Sequence, residues 1–121
     1  MVKRILIADD SEGIRTVLKG IFSLQGFEIV GEAVNGREAF ELYKLTQPDL
    51  VCMDLLMPEV TGLQALKDII DYDSKAKVII ITAMGKREAF IETMKAGAVD
   101  HIVKPFDKER VLLAVQKALG E

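Results

Sequence analysis

Cysteine occurs once, at Cys52, so no intrachain disulfide can form, and its place inside an apolar run marks a buried structural thiol. Long hydrophobic runs are missing too. The longest reach about four to five residues against the ~20 that span a bilayer, and the N-terminus has no apolar segment of signal type. The chain therefore reads as soluble and cytoplasmic, with no membrane partner. Blocks of like charge are also absent: 16 Lys and Arg are interspersed with 19 Asp and Glu for a net charge of -3, which gives no electrostatic footprint for direct nucleic-acid binding. No repeat, low-complexity segment or spare apolar surface stripe is visible, so a monomer is the default reading. What remains is 121 residues, half of them apolar, which fit one domain over residues 1–121.

Short apolar runs alternate with stretches of helical spacing. The runs at Ile5 to Ala8, Glu28 to Ala33, Leu50 to Met53, Val78 to Ile81 and His101 to Val103 read as strands. Glu28 to Ala33 is the least apolar and suits an edge, whereas Val78 to Thr82 is the most β-branched and suits the centre. Between them, Ile14, Val17, Leu18, Ile21 and Phe22 form one helical face that ends at Gly26. Further helices are predicted from about Gly36 to Leu45, from about Val60 to Tyr72 with Leu63, Leu66 and Ile70 on one stripe, and over Arg87 to Ala96. In the last of these Ile91, Met94 and Ala98 face inward and Gly97 follows the C-terminus. A final helix with Val111, Leu112, Val115 and Leu119 is capped by Asp107. Five strands and five helices in strict alternation predict an α/β, doubly wound (βα)5 three-layer sandwich on a parallel sheet.

In such sheets ligands bind outside the carboxyl ends of the strands, where Asp9, Asp10, Asp54, Thr82 and Lys104 all fall. Singly, each has a plain structural reading, as a helix cap, a loop acid, a strand residue or a solvated charge. Together, three carboxylates at one corner repel unless something positive sits between them, and a hard divalent cation is the economical answer. Magnesium is usually held by one or two carboxylates, waters and phosphate oxygens, which suggests phosphoryl transfer. Lys104 and Thr82 would then supply a cation and a hydrogen-bond donor for phosphoryl oxygens.

The same residues carry a resemblance. Asp9-Asp10, Asp54-Leu55-Leu56-Met57-Pro58 with Gly62, Thr82-Ala83 and Lys104-Pro105-Phe106 run the length of the chain in the order and spacing of four linked motifs. They resemble the receiver domain of two-component response regulators, and most of all its stand-alone CheY-like members. The resemblance implies a five-stranded sheet of order 2-1-3-4-5. It also implies that Asp54 accepts a phosphoryl group from a histidine kinase, and that Asp10, Asp54 and the backbone carbonyl of Leu56 bind Mg²⁺ with Asp9 acting through water. Lys104 would pair with the phosphoryl group, or with Asp54 when that is empty, and Thr82 would donate its hydroxyl.

The resemblance further implies a cis bond before Pro105, a loop shaped by Met57 and Pro58, and a turn at Gly62. The switch would pass from Thr82 to the strand-five position held here by His101, where the family commonly has an aromatic. His101 has two readings, a switch residue or a half-exposed polar residue on a short edge strand. Leu56 and Met84, two beyond Asp54 and Thr82, would either hinder water at an acyl phosphate or pack the loops. Lys86 and Arg87 read as an exposed pair or as a greeting for an acidic partner segment.

Gly31 to Ala39 and Ala83-Met84-Gly85 resemble chemotaxis receivers, which implies signalling to a flagellar motor switch. His101 and Gly13-Ile14-Arg15 resemble the sporulation phosphorelay receiver, which implies an intermediate that passes its phosphoryl group to a phosphotransfer protein. Other classes fit less well. A haloacid-dehalogenase-like phosphatase needs an acid where Leu56 stands, a flavodoxin-like carrier would not place Asp9-Asp10 against a phosphate, and an unphosphorylated interaction module has no use for all five site residues. The chain is thus expected to be a phosphoacceptor that assists its own phosphorylation and dephosphorylation, rather than an enzyme acting on a separate substrate.

Overall fold

The computed structural model describes residues 1–120. Its elements run β1 (Arg4–Ala8), α1 (Glu12–Leu24), β2 (Glu28–Ala33), α2 (Gly36–Thr46), β3 (Leu50–Met53), α3 (Gly62–Tyr72), β4 (Val78–Thr82), α4 (Arg87–Lys95), β5 (Asp100–Val103) and α5 (Lys108–Leu119). The strands form one parallel sheet of order β2-β1-β3-β4-β5, so the expected topology holds and the weakly apolar β2 is an edge. Because side chains alternate across a strand, odd and even positions feed different layers. Leu6, Ala8, Val51, Met53, Val78 and Ile80 pack under α2, α3 and α4, while Ile5, Ile7, Leu50, Cys52, Ile79 and Ile81 pack under α1 and α5. Both faces being covered explains why β1, β3 and β4 read as continuous apolar runs.

Four helices start on a side-chain cap. Ser11, Asn35, Thr61 and Asp107 accept from the backbone N–H groups of Ile14, Glu38, Gln64 and Arg110. With Ser11 in that role, neither Asp9 nor Asp10 is spent on capping. Helix α4 is different, for its N-cap Lys86 makes no side-chain bond.

One helical face keeps the sequence expectation except at Val17, and another is rotated from it. Val17 is half exposed, and the buried positions of α1 are Leu18, Ile21 and Phe22. In α4, Ile91 and Met94 are exposed while Ala89 and Thr93 face the sheet. Small side chains at i and i+4 let that helix lie close on the sheet, and its larger apolar residues are left outside. Gly62 also serves otherwise than as a turn residue. Its φ is not positive, but a Cβ there would collide with the backbone carbonyl of Asp54. The Lys104–Pro105 bond is cis.

Candidate functional site

The site is assembled by strand register. Ala8 of β1 pairs with Met53 of β3, so the next residue of each strand, Asp9 and Asp54, emerges side by side. The Asp54 N–H still donates to the Ala8 carbonyl at 3.0 Å, and the Asp9 N–H to the Ala33 carbonyl at 2.9 Å. Thr82 pairs with Val103 at the end of β4, and the Lys104 N–H donates to the Thr82 carbonyl at 2.8 Å. The backbone thus fixes all four residues before any side chain is considered.

From β5 the Lys104 side chain reaches back across the sheet end. Its Nζ donates to Asp9 Oδ2 at 2.8 Å and to Asp54 Oδ2 at 3.0 Å. Both carboxylates are almost fully buried, with side chains 3% and 6% exposed. Burial alone would lower the Lys104 pKa, but the hydrogen bonds to Asp9 and Asp54 outweigh it and leave the ammonium raised above its ordinary value. The other oxygens are held by amides, since Ser11 N–H donates to Asp9 Oδ1 at 2.9 Å and Leu56 N–H to Asp54 Oδ1 at 3.1 Å. Asp10 is exposed and has no protein hydrogen-bond partner among the described residues.

One carboxylate oxygen from each of Asp9, Asp10 and Asp54 lies within 4.8 Å of the others. An all-oxygen set, deep at two positions and open at Asp10, suits a small hard cation that keeps part of its water shell. The donor set therefore fits magnesium.

Thr82 is fully buried, and its hydroxyl accepts from Met84 N–H at 3.3 Å. Met84 also lines an apolar cleft of about 230 Å³, with Leu56, Leu63 and Ala89 among its other walls. Leu56 and Met84 are 49% and 37% exposed, so neither is filler inside a loop. His101 is not the half-exposed residue that a short edge strand suggested. It is 6% exposed because α4 covers it, with the Phe90 ring edge-on at 5.7 Å between centroids. A carbonyl can only accept, so His101 Nε2 donates to Met84 O at 3.2 Å, while Nδ1 pairs with Thr93 Oγ1 at 2.9 Å. Three hydrogen bonds thereby connect the Thr82 hydroxyl to α4 through Met84, His101 and Thr93.

Sequence reasoning missed Thr93 and Ser11 at this end of the sheet. It also gave Arg15 no role, although Arg15 Nη1 donates to the Asp9 carbonyl at 2.8 Å. The signal for Thr93 was its place four residues after Ala89, the small-residue face of α4.

Comparison with known proteins agrees with this geometry. Residues 5–116 match the model of the response regulator receiver domain. The chain is 50% identical over 117 residues to the chemotaxis protein CheY of Thermotoga maritima, covering 97% of this chain and 98% of that one. It is 49% identical over 120 residues to chemotaxis protein CheY of Bacillus subtilis, covering 99% and 100%. Among solved structures, a chain of the CheX-CheY-BeF3-Mg²⁺ complex from Borrelia burgdorferi superposes with a TM-score of 0.93 at 37% identity, covering 95% of this chain and 87% of that one.

Proposed function

The chain belongs to the response regulator receiver domain family and is CheY-like, and from that premise we propose that Asp54 is its phosphoacceptor. Near-full-length identity of about half to two chemotaxis proteins supports a role in chemotaxis signalling. The observation that carries the reading is the Lys104 ammonium bridging Asp54 and Asp9 while a third carboxylate, Asp10, stays open to solvent.

In the reaction an Asp54 carboxylate oxygen attacks the phosphorus of a kinase phosphohistidine. A P–O bond forms, the P–N bond breaks, and the imidazole leaves with the bonding pair and takes up a proton. Asp10 and Asp54, with the Leu56 carbonyl, would hold Mg²⁺ directly and Asp9 through water; when bound, the ion neutralises charge on the phosphoryl oxygens. Lys104 exchanges its contact with Asp54 Oδ2 for a phosphoryl oxygen, and its short reach across β4 keeps it within range. Thr82 donates its hydroxyl to another. That turn draws Thr82 away from Met84 N–H, and the tension passes along His101 and Thr93 to α4.

The readout is a protein partner that recognises the changed face of α4, β5 and α5, with the flagellar motor switch first among candidates. The Borrelia relative, solved with CheX, is a receiver of this shape held by another protein. Intact mass after incubation with acetyl phosphate and Mg²⁺ tests the chemistry. The parent should gain one phosphoryl group, and Asp54→Asn or added EDTA should abolish the gain. A parent that stays unmodified refutes the assignment.

A further inference from the structure

Asp9 and Asp10 are joined by a peptide unit that lies just past the last pairing of β1 with both its neighbours. Its carbonyl has no strand opposite, and Arg15 takes it instead. Nη1 of Arg15 donates to Asp9 O at 2.8 Å, and Nε of the same guanidinium donates to Glu32 Oε1 at 2.9 Å. Glu32 Oε2 in turn accepts from Lys19 Nζ at 3.0 Å. Hydrogen bonds from Lys19 and Arg15 hold the Glu32 carboxyl below its usual range, so the anchor on β2 stays ionised. The Arg15 side chain is only 14% exposed. A planar fork carried by α1 and anchored on β2 therefore grips the one peptide unit that joins two of the three carboxylates.

Asp9 has other restraints, from Ser11 N–H and Lys104. Asp10 has none from protein among the described residues, so the direction of its carboxylate depends on the backbone that carries it. We infer that Arg15 is a positioning residue for the metal corner, aiming Asp10 by fixing the Asp9–Asp10 peptide plane. The inference rests on the magnesium-dependent reading of the site.

Two effects of removing Arg15 have opposite signs. A guanidinium near a divalent cation repels it, so charge alone predicts tighter Mg²⁺ binding once the charge is gone. Positioning predicts weaker binding, by roughly 10- to 100-fold, as for other outer partners of metal ligands. Lysine separates the two further. It keeps the charge, but one ammonium on a flexible stem cannot replace two donors in a rigid fork.

The test is Mg²⁺ titration of the full chain, followed by the amide resonances of Asp10 and Asp54, for the parent, Arg15→Gln, Arg15→Lys and Glu32→Gln. Urea unfolding in EDTA accompanies each. Both Arg15 variants should weaken Mg²⁺ binding about tenfold or more, Glu32→Gln should weaken it less, and the Asp10 amide should already be displaced without metal. Unchanged or tighter binding in Arg15→Gln, beside a parent that binds Mg²⁺, overturns the inference and leaves the phosphoacceptor reading intact. A parent that binds no Mg²⁺ overturns that reading itself. If Arg15→Gln does not fold, unchanged affinity in both Arg15→Lys and Glu32→Gln is the refuting result.

Discussion

Replacing Lys104 by methionine should destabilise the metal-free protein and sharpen its response to Mg²⁺. The ammonium touches two carboxylates that are 3% and 6% exposed, yet its own side chain is 17% exposed. Exposed pairs contribute at most about 1 kcal/mol, and breaking a fully buried pair costs about 3–5 kcal/mol, so this half-open triad should lie near 2–3 kcal/mol. For a domain of this size that lowers the unfolding midpoint by on the order of 10 °C. The same change removes a positive charge that competes with a divalent cation, so Mg²⁺ should recover more stability in the variant than in the parent. At 100 times the dissociation constant the recovery is about 2.7 kcal/mol.

The pH dependence of Lys104→Met is equally specific. The folded pKa of Lys104 is raised, so its contribution is whole below the unfolded value of ~10.4 and disappears as pH rises through the folded value. The parent should lose this increment above about pH 10, and Lys104→Met should lack that step. Urea unfolding in EDTA and in Mg²⁺, repeated across alkaline pH, measures all three effects. A variant as stable as the parent in EDTA would refute the argument, because the carboxylates would then not need the ammonium.

Gly62→Ala should cost more than about 3 kcal/mol, since the new methyl meets the Asp54 carbonyl, whereas Gly20→Ala, open on an exposed helix face, should gain about 0.5–1 kcal/mol; equal stabilities by urea unfolding would contradict the steric account. Leu56→Asn should shorten the lifetime of the acyl phosphate several-fold, because an apolar side chain 49% exposed beside Asp54 keeps water from in-line attack; unchanged decay of radiolabelled protein counts against it. Thr93→Val leaves a buried His101 nitrogen unpartnered and should cost about 1–3 kcal/mol, with a shift of the His101 ring resonances; a silent variant would show that the Thr93 bond carries no weight.

Most of the fold was legible because its two signals are strong and local. Doubly covered strands must be apolar on both sides, which made β1, β3 and β4 visible as uninterrupted runs, and the weaker Glu28–Ala33 marked its own place at the edge. Helix existence followed from spacing, and so did the buried face of α1 apart from Val17, but the rotation of α4 did not. Ile91 and Met94 satisfy an apolar periodicity as well as the residues that are buried, and which of two adjacent stripes meets the sheet depends on how closely the backbone can approach. Ala89 and Thr93 decide it for α4 by being small. A hydrophobicity pattern scores them last.

The five site residues were legible for a different reason: a parallel sheet sends every strand end to one edge, so polar residues that follow apolar runs must converge there. That argument reaches only residues at strand ends. Arg15 acts from the first turn of a helix through a backbone carbonyl, and His101 through a carbonyl in a loop and a hydroxyl on another element. Neither partner atom has a side-chain identity that a sequence could display, apart from Thr93. His101 in particular has a polar side chain on a strand that sequence alone places at an open edge. Only the seating of α4 over β5, itself made possible by Ala89 and Thr93, turns that edge into an interior. The residue whose role was least readable is thus the one whose environment is supplied almost wholly by tertiary packing, and α4, the helix without an N-terminal side-chain cap, is the element best suited to shift when that environment changes.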